Sequence, residues 1–248
     1  MTWVKICGMT NLEDALLAVD AGADAVGFVF YEKSPRKTDS VAARKIVEKL
    51  PDSVEKIGVF VNDQGLNLLR VLLDVGLTGV QTYPPAEDEE RVGGYFETIA
   101  AGPLPDRVSH ARFLSALPMN LIGEQEEIRR LGSDLAEWGM NRSRGARLTT
   151  QEAAVVLDSG DLRTPGGTGK TFDWNKAIPI AEGMRQGGVK LVVAGGLTPE
   201  NVAEAIRILK PWGVDVASGV EVSPGMKDPG KVRAFVNAVR AADKSARN

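Results

Sequence analysis

AGADAV at residues 21–26, VGLTGV at 75–80 and WGVDV at 212–216 decide the fold of this chain. Each stretch has a glycine where a helix ends, and a strand begins two or three residues later. Gly22 and Gly76 are 54 residues apart, two steps of 27, and Gly213 follows Gly22 by 191 residues, close to seven such steps. A unit of one strand, one helix and their two loops takes about that many residues. Eight units therefore fit the 248 residues.

Repeated strand–helix units predict a parallel sheet, because each helix returns the chain to the same end of the sheet. We therefore predict one α/β domain over residues 1–248, an eight-stranded (β/α)8 barrel, or TIM barrel. An open, doubly wound sheet is the alternative, but its GxGxxG fingerprint is absent after the first strand. Apolar runs give further strand candidates, at residues 3–7, 56–61, 155–157 and 190–194.

Capping residues mark where the predicted helices begin. Thr10 has a glutamate three residues later, which is the spacing of a capping box, and Ser40 precedes a second helix. Thr198 and Asp228 each stand directly before a proline, the usual order of a capping side chain and a first helical residue.

The segment over residues 82–152 is longer and less regular than the rest of the chain. We predict a helix within 87–95, a strand near 112–117 and a helix near 124–138. The sequence around strands four and five therefore diverges from the strand–helix repeat of the rest of the chain.

Composition excludes several functions. The chain has 30 Lys and Arg against 33 Asp and Glu, so no general attraction to nucleic acid or to acidic membranes is expected. A single cysteine, Cys7, excludes an intramolecular disulfide, and a single histidine, His110, excludes a two-histidine metal site. His110 is expected on the surface. Because the N-terminus lacks a signal-peptide pattern and no apolar run approaches ~18 residues, we expect a cytoplasmic protein.

Three reactive side chains follow strands at one end of the predicted barrel, where such folds carry their active sites. Cys7 ends the first strand, Arg36 lies in the loop after the second, and Asp158 ends the sixth. A lone cysteine is either a small buried residue or a functional thiol. A carboxylate after an apolar strand is costly unless it is used or paired, and a guanidinium beside a pocket suits a carboxylate ligand.

Two glycine turns follow the seventh and eighth strands, Gly195-Gly196 and Ser218-Gly219. Their backbone N–H groups can bind an anion, and these two loops form the usual phosphate site of the barrel fold; the alternative is that they only make tight turns. Residues 164–171 resemble a P-loop, but threonine replaces the first glycine. We interpret this stretch as a loop that closes over the substrate, with Lys170 near it.

Period-two alternation places Lys5 on the same inward side of the first strand as Cys7. A charge inside the barrel needs a partner, so we predict that Lys5 pairs with a carboxylate such as Asp215.

The chain resembles phosphoribosylanthranilate isomerase, an enzyme family of tryptophan biosynthesis. The likeness covers residues 1–81 and 153–240. It rests on residues 5–10 (KICGMT), 27–30 (GFVF) with 34–36 (SPR), 58–62 (GVFVN), 157–159 (LDS) with 166–174 (GGTGKTFDW), 194–202 (AGGLTPENV) and 214–221 (VDVASGVE).

This resemblance implies an isomerase that rearranges a phosphorylated small molecule and uses no metal or organic cofactor. It implies that Cys7 is the general base, Asp158 the general acid and Arg36 the anchor of the anthranilate carboxylate. An acid must be protonated and a base ionised, so we expect a raised pKa for Asp158 and a lowered pKa for Cys7. Association with other tryptophan-pathway enzymes stays open.

The strand-four motif departs from the family, which usually follows its glutamine with Leu-His-Gly; here Gln81 is followed by Thr82-Tyr83-Pro84. Two other functions are compatible with a barrel of this kind. Barrel isomerases of histidine-pathway sugar phosphates use two aspartates, which Cys7 argues against. A binding module without catalysis would keep the glycine loops but lose the acid and the base, and both are present.

Overall fold

In the computed structural model, which describes residues 1–61, 66–83, 111–119, 153–160 and 171–246, eight parallel strands close into a barrel. Neighbouring strands pair in chain order, and the last pairs with the first. The predicted (β/α)8 barrel is therefore confirmed, including the fifth strand. The strands are Trp3–Cys7 (β1), Ala25–Val29 (β2), Glu55–Val61 (β3), Gly79–Tyr83 (β4), Arg112–Pro118 (β5), Ala153–Asp158 (β6), Lys190–Val193 (β7) and Gly213–Val216 (β8).

Six helices are described, and they follow strands as the repeat predicts. They are Leu12–Asp20 (α1), Ser40–Val47 (α2), Leu66–Val75 (α3), Ile178–Gln186 (α4), Val202–Leu209 (α5) and Pro229–Ser245 (α6). The helices predicted within 87–95 and near 124–138 lie outside the described residues, so a single domain over 1–248 stays a prediction. Among the described helices, none has the length and apolarity needed to cross a membrane.

A short addition separates β8 from α6. The 3-10 turn Ser218–Val220 leads into an antiparallel hairpin made of Glu221–Ser223 (β9) and Met226–Lys227 (β10). This hairpin lies at the C-terminal end of the barrel strands, where it approaches the end of β1: Lys227 Nζ donates to the Cys7 carbonyl at 2.6 Å. The addition therefore packs against the C-terminal end of the barrel.

The strands are apolar on both faces, because their outer face packs on helices and their inner face points into the interior of the closed barrel. Valine, leucine and alanine fill the interior, and the outer faces of the strands pack on the helices. Several polar residues are buried inside the barrel, in the middle or at the C-terminal ends of the strands. They include Lys5, Gln81, Asp158 and Asp215. The predicted inward position of Lys5 is confirmed.

Two predicted helix caps are wrong by one residue. Asn11, not Thr10, caps α1, because its Oδ1 accepts the Asp14 N–H at 2.8 Å. The Thr10 hydroxyl instead donates to the Gly225 carbonyl in the hairpin at 2.6 Å. The second helix shows the same shift. The Asp39 side chain caps α2, and Ser40, which was predicted as the cap, is the first residue of the helix.

The two proline-marked starts differ. Asp228 caps α6 as predicted, accepting from two backbone N–H groups with Pro229 as the first helical residue. At Thr198 the prediction is wrong, because α5 begins only at Val202. The Asn201 side chain accepts the Thr198 N–H at 2.8 Å, which keeps residues 198–201 in a turn before the helix.

Candidate active site

A cavity of about 520 Å³ opens at the C-terminal end of the barrel strands. That volume lies in the range of small-molecule sites. The cavity brings together residues from six strands and from the segments that follow β2, β7 and β8. Of the side chains and turns predicted for the site, it is lined by Cys7, Arg36, Asp158, Gly195, Gly196 and Ser218.

Cys7 ends β1 with its side chain inside the barrel, above Gly27 of β2. A Cβ on Gly27 would lie 2.7 Å from Cys7 Sγ and 3.0 Å from Lys5 Cε, so a side chain there would displace both groups. Lys5 Nζ donates to Asp215 Oδ2 at 2.8 Å and to Gln81 Oε1 at 2.9 Å. The predicted Lys5–Asp215 pair is confirmed, and it fixes the ammonium group beside the thiol.

The predicted lowering of the Cys7 pKa is wrong for the cavity as the structure shows it. Burial raises the pKa of the thiol, and the nearby ammonium groups of Lys5 and Lys227 offset this only in part. The reason is desolvation: a thiolate inside an apolar barrel loses hydration that the two cations do not fully replace.

Asp158 ends β6 and is buried, and both of its carboxylate oxygens accept hydrogen bonds. The Tyr83 hydroxyl donates to Oδ2 at 2.5 Å, and the Gly160 N–H donates to Oδ1 at 2.9 Å. Burial raises the pKa of Asp158, although both hydrogen bonds lower it. The expected raised pKa of this carboxyl is therefore confirmed, and its cause is desolvation.

Arg36 is buried and pairs side-on with Glu221. Its Nε–H donates to Glu221 Oε1 at 2.9 Å, and its Nη2–H donates to Oε2 at 2.7 Å. Lys227 Nζ also donates to Glu221 Oε1, at 2.7 Å. Burial would raise the pKa of Glu221, but the bonds from Arg36 and Lys227 hold it below its usual value. Glu221 is therefore a carboxylate shared by two buried cations.

The Glu221 pair occupies only one edge of the Arg36 guanidinium. A guanidinium has five N–H donors, and this pair takes the Nε–H and one Nη2–H. The Nη1 group makes no hydrogen bond to the described residues, so the end-on edge formed by Nη1 and Nη2 stays open. Arg36 lines the cavity. The Nη1 group and the second Nη2–H are therefore the donors that Arg36 has left for a ligand carboxylate.

The glycine turns after β7 and β8 lie against each other. A Cβ on Gly219 would lie 1.9 Å from the Leu197 carbonyl oxygen, so only glycine allows the two loops to come this close. Gly195 and Gly196 both have positive φ, and the Asn201 side chain donates to the Gly196 carbonyl at 3.0 Å. Ser218 lines the cavity, whereas Gly219 packs behind it and supports the turn.

Sequence reasoning missed three residues of the site: Tyr83, Glu221 and Lys227. Residues two apart in a strand lie on the same face, so an inward Gln81 would have predicted an inward Tyr83. Nothing in the local pattern marks Glu221 or Lys227 as buried, because the hairpin that carries them is polar in sequence. His110 and Lys170, for which a surface position and a substrate contact were predicted, lie outside the described residues.

Comparison with known proteins agrees with this geometry. The family model described as N-(5'-phosphoribosyl)anthranilate (PRA) isomerase matches residues 4–91 and 127–238. N-(5'-phosphoribosyl)anthranilate isomerase from Pseudomonas fluorescens is 39% identical over 236 residues, which cover 95% of this chain and 97% of that protein. The enzyme of the same name from Thermotoga maritima is 38% identical over 238 residues, again 95% and 97% of the two chains.

Solved structures give the same result. The crystal structure of phosphoribosyl anthranilate isomerase from Thermotoga maritima is similar with a TM-score of 0.72 and 35% identity, over 97% of this chain and 100% of that chain. A phosphoribosyl anthranilate isomerase in complex with reduced 1-(o-carboxyphenylamino)-1-deoxyribulose 5-phosphate has a TM-score of 0.70 and 34% identity, with the same coverage. With a matching family model, relatives near 39% identity and a shared barrel, this chain belongs to the N-(5'-phosphoribosyl)anthranilate isomerase family.

Proposed function

We propose that this chain converts N-(5'-phosphoribosyl)anthranilate to 1-(2-carboxyphenylamino)-1-deoxyribulose 5-phosphate in tryptophan biosynthesis, with Asp158 as general acid and Cys7 as general base. The observation that carries the proposal is a single cavity that holds a protonatable carboxyl, a thiol, an open guanidinium edge and two glycine turns. An Amadori rearrangement of a substrate with a carboxylate at one end and a phosphate at the other needs these groups.

Asp158 carries out the acid step. Its O–H bond breaks and the proton goes to the furanose ring oxygen, while the bond between that oxygen and C1′ breaks and its electron pair stays on the oxygen. The lone pair of the anilino nitrogen forms the C=N bond of a protonated Schiff base. Because burial raises the pKa of Asp158, the carboxyl holds a proton at higher pH than an exposed aspartate does.

Cys7 carries out the base step. The thiolate takes the C2′ proton, the electrons of that C–H bond form the C1′=C2′ bond, and the electron pair of the C=N bond returns to nitrogen. The enolamine formed in this way then gains a proton at C1′ and loses the proton of its C2′ hydroxyl, which gives the ketone of the product. Burial raises the pKa of Cys7, so the thiolate needs further positive charge beside it. The Lys5 ammonium supplies part of that charge, and the Schiff base, which is itself a cation, supplies the rest when it forms.

Arg36 binds the anthranilate carboxylate through its open Nη1/Nη2 edge. Arg36→Lys keeps the charge but removes both the planar fork and the side-on pair with Glu221. We expect a raised KM that corresponds to ~1–3 kcal/mol of lost binding, because this is the usual range for a charge-assisted hydrogen bond. An unchanged KM would show that the carboxylate binds elsewhere.

The phosphate binds at the turns after β7 and β8. Gly195, Gly196 and Ser218 line that side of the cavity, and backbone N–H groups of such turns suit an anion. With the carboxylate held at Arg36, the sugar then lies between the two ends, where Cys7 and Asp158 can reach it.

A fluorescence assay of phosphoribosylanthranilate consumption tests the function. The purified chain should consume the substrate without added metal, and EDTA should leave the rate unchanged. Cys7→Ser and Asp158→Asn should each lower kcat by ~10²–10⁴-fold while product still binds, since both changes keep shape and hydrogen bonding. Binding of product by a parent chain that shows no turnover would instead identify a binding module.

The cytoplasm is the location that this chemistry supports, because Cys7 must stay a reduced thiol to act as a base. Association with other tryptophan-pathway enzymes is consistent with a barrel that catalyses a single step of that pathway. Co-purification of the tagged chain with its neighbouring enzymes checks the association, and fractionation of the source cells checks the location.

A further inference from the structure

We propose that Tyr83 is a positioning residue for the acid step: its hydroxyl holds the Asp158 carboxyl in place and stabilises the carboxylate that remains after Asp158 has given its proton to the substrate. The proposal rests on the function proposed above. It concerns the residue at which strand four departs from the family pattern, and it starts from the 2.5 Å hydrogen bond between Tyr83 Oη and Asp158 Oδ2.

The direction of this hydrogen bond is fixed by the groups behind it. Lys5 Nζ has donors only, so the atom of Gln81 that faces it at 2.9 Å must be the amide oxygen. The amide nitrogen of Gln81 then faces Tyr83 Oη at 3.3 Å and donates to it. Tyr83 Oη accepts from Gln81, and an ionised Asp158 carboxylate can only accept, so in that state the Tyr83 hydrogen points to Oδ2.

Tyr83 remains a donor throughout the working pH range. Burial raises the pKa of its phenol well above the usual value, and the Asp158 charge raises it further. The hydroxyl therefore always offers a proton to Asp158 and does not compete as an acid in the reaction.

The chemical benefit lies in the state that follows proton transfer. When Asp158 loses its proton, a buried site gains a negative charge, and such a charge is costly unless donors surround it. Within the described part of the chain, the Tyr83 hydroxyl and the Gly160 N–H are the two groups that donate to this carboxylate. A preorganised donor aimed at a charge that develops in the transition state lowers the barrier. Without Tyr83, Asp158 would hold its proton more tightly and transfer it more slowly.

The test measures the titration of Asp158 directly and the turnover separately. The protein is labelled with ¹³C-carboxyl aspartate, and the Asp158 resonance is assigned by its loss in Asp158→Asn. In Tyr83→Phe we expect the titration midpoint of that resonance to rise by about one pH unit or more, and kcat to fall about tenfold or more. Tyr31→Phe is the matched control, because Tyr31 lines the same cavity and makes no hydrogen bond to Asp158. In Tyr31→Phe the titration midpoint of the Asp158 resonance should equal that of the parent protein.

A second variant keeps the shape of the side chain. Replacing Tyr83 with 3-fluorotyrosine strengthens the phenol as a donor, so the Asp158 midpoint should move down, opposite to Tyr83→Phe. This change retains the aromatic packing and tests the hydrogen bond even if Tyr83→Phe is poorly folded.

The outcomes separate this proposal from the function on which it rests. A parent protein without isomerase activity would overturn the proposed function. An active parent in which Tyr83→Phe leaves either the Asp158 midpoint or kcat unchanged would overturn the role of Tyr83. A lower kcat with an unmoved midpoint would show that Tyr83 acts through packing alone, which also contradicts the proposal.

Discussion

Replacing Glu221 with glutamine tests whether one buried carboxylate holds the substrate anchor in place. Glu221 accepts Nη2–H of Arg36 at 2.7 Å and the ammonium group of Lys227 at 2.7 Å. Glutamine has nearly the same shape without the charge, so both buried cations lose their shared counter-charge. Removal of one partner from a buried ion pair costs ~3–5 kcal/mol. At roughly 2–4 °C per kcal/mol for a chain of this size, we expect Tm to fall by about 10 °C.

The pH dependence of this loss has a definite sign. The pKa of Glu221 in the folded protein lies below its usual value, so the carboxylate contributes stability above the unfolded pKa of about 4.3, and this is lost as the pH falls through the folded pKa. The unfolding free energy of the parent protein therefore approaches that of the Glu221→Gln variant at low pH. Urea unfolding at pH 7 and at successively lower pH values should show the difference in unfolding free energy shrinking.

The same change should raise KM, because Arg36 loses the side-on partner that orients its open edge. Glu204→Gln is the matched control. Glu204 is exposed and lies 3.8 Å from Arg207 in a surface ion pair, so its loss should change the unfolding free energy by about 0.5 kcal/mol or less. An unfolding free energy for Glu221→Gln that is within about 1 kcal/mol of the parent, with an unchanged KM, would refute this account of the ion cluster.

Three further predictions follow from the geometry of the site. In Gly219→Ala the new methyl group would meet the Leu197 carbonyl oxygen at 1.9 Å, so the two turns must separate, and we expect at least about tenfold weaker product binding by calorimetry; unchanged binding would place the phosphate elsewhere. Alkylation of Cys7 by iodoacetamide should reach half its maximal rate above pH 8.5 and be slowed by product, because burial raises the pKa of the thiol; a midpoint below 8.5 would contradict this. Since burial also raises the pKa of Asp158, its ionised form destabilises the fold above about pH 3.9. Asp158→Asn should therefore unfold with a higher free energy than the parent at pH 8 and with the same free energy near pH 3, and equal values at both pH values would contradict this.

The sequence by itself determined the barrel architecture and the end of the barrel at which the reactive side chains lie. A repeat of about 27 residues predicts eight strand–helix units, and the parallel order then places Cys7 and Asp158 at one rim. Alternation along one strand was sufficient to predict the Lys5–Asp215 pair, because a buried ammonium needs a carboxylate and the end of β8 offers one. These predictions succeeded because they depend on periodicity and on the ends of strands, which are local properties of the chain.

The helix caps show where local reasoning ends. Thr10 has the spacing of a capping box, but its hydroxyl bonds to Gly225, which is more than 200 residues away in sequence, and the neighbouring Asn11 takes the capping role. Competing partners of this kind appear only when distant segments meet.

Tertiary structure decided the electrostatics of the site. Arg36 meets Glu221 across 185 residues of sequence and Tyr83 meets Asp158 across 75, and no local pattern marks either pair. The sign of the Cys7 pKa shift was wrong for the same reason. The neighbouring cations can be inferred from the sequence, but the desolvation that outweighs them arises only when eight strands close around the thiol and exclude water from it.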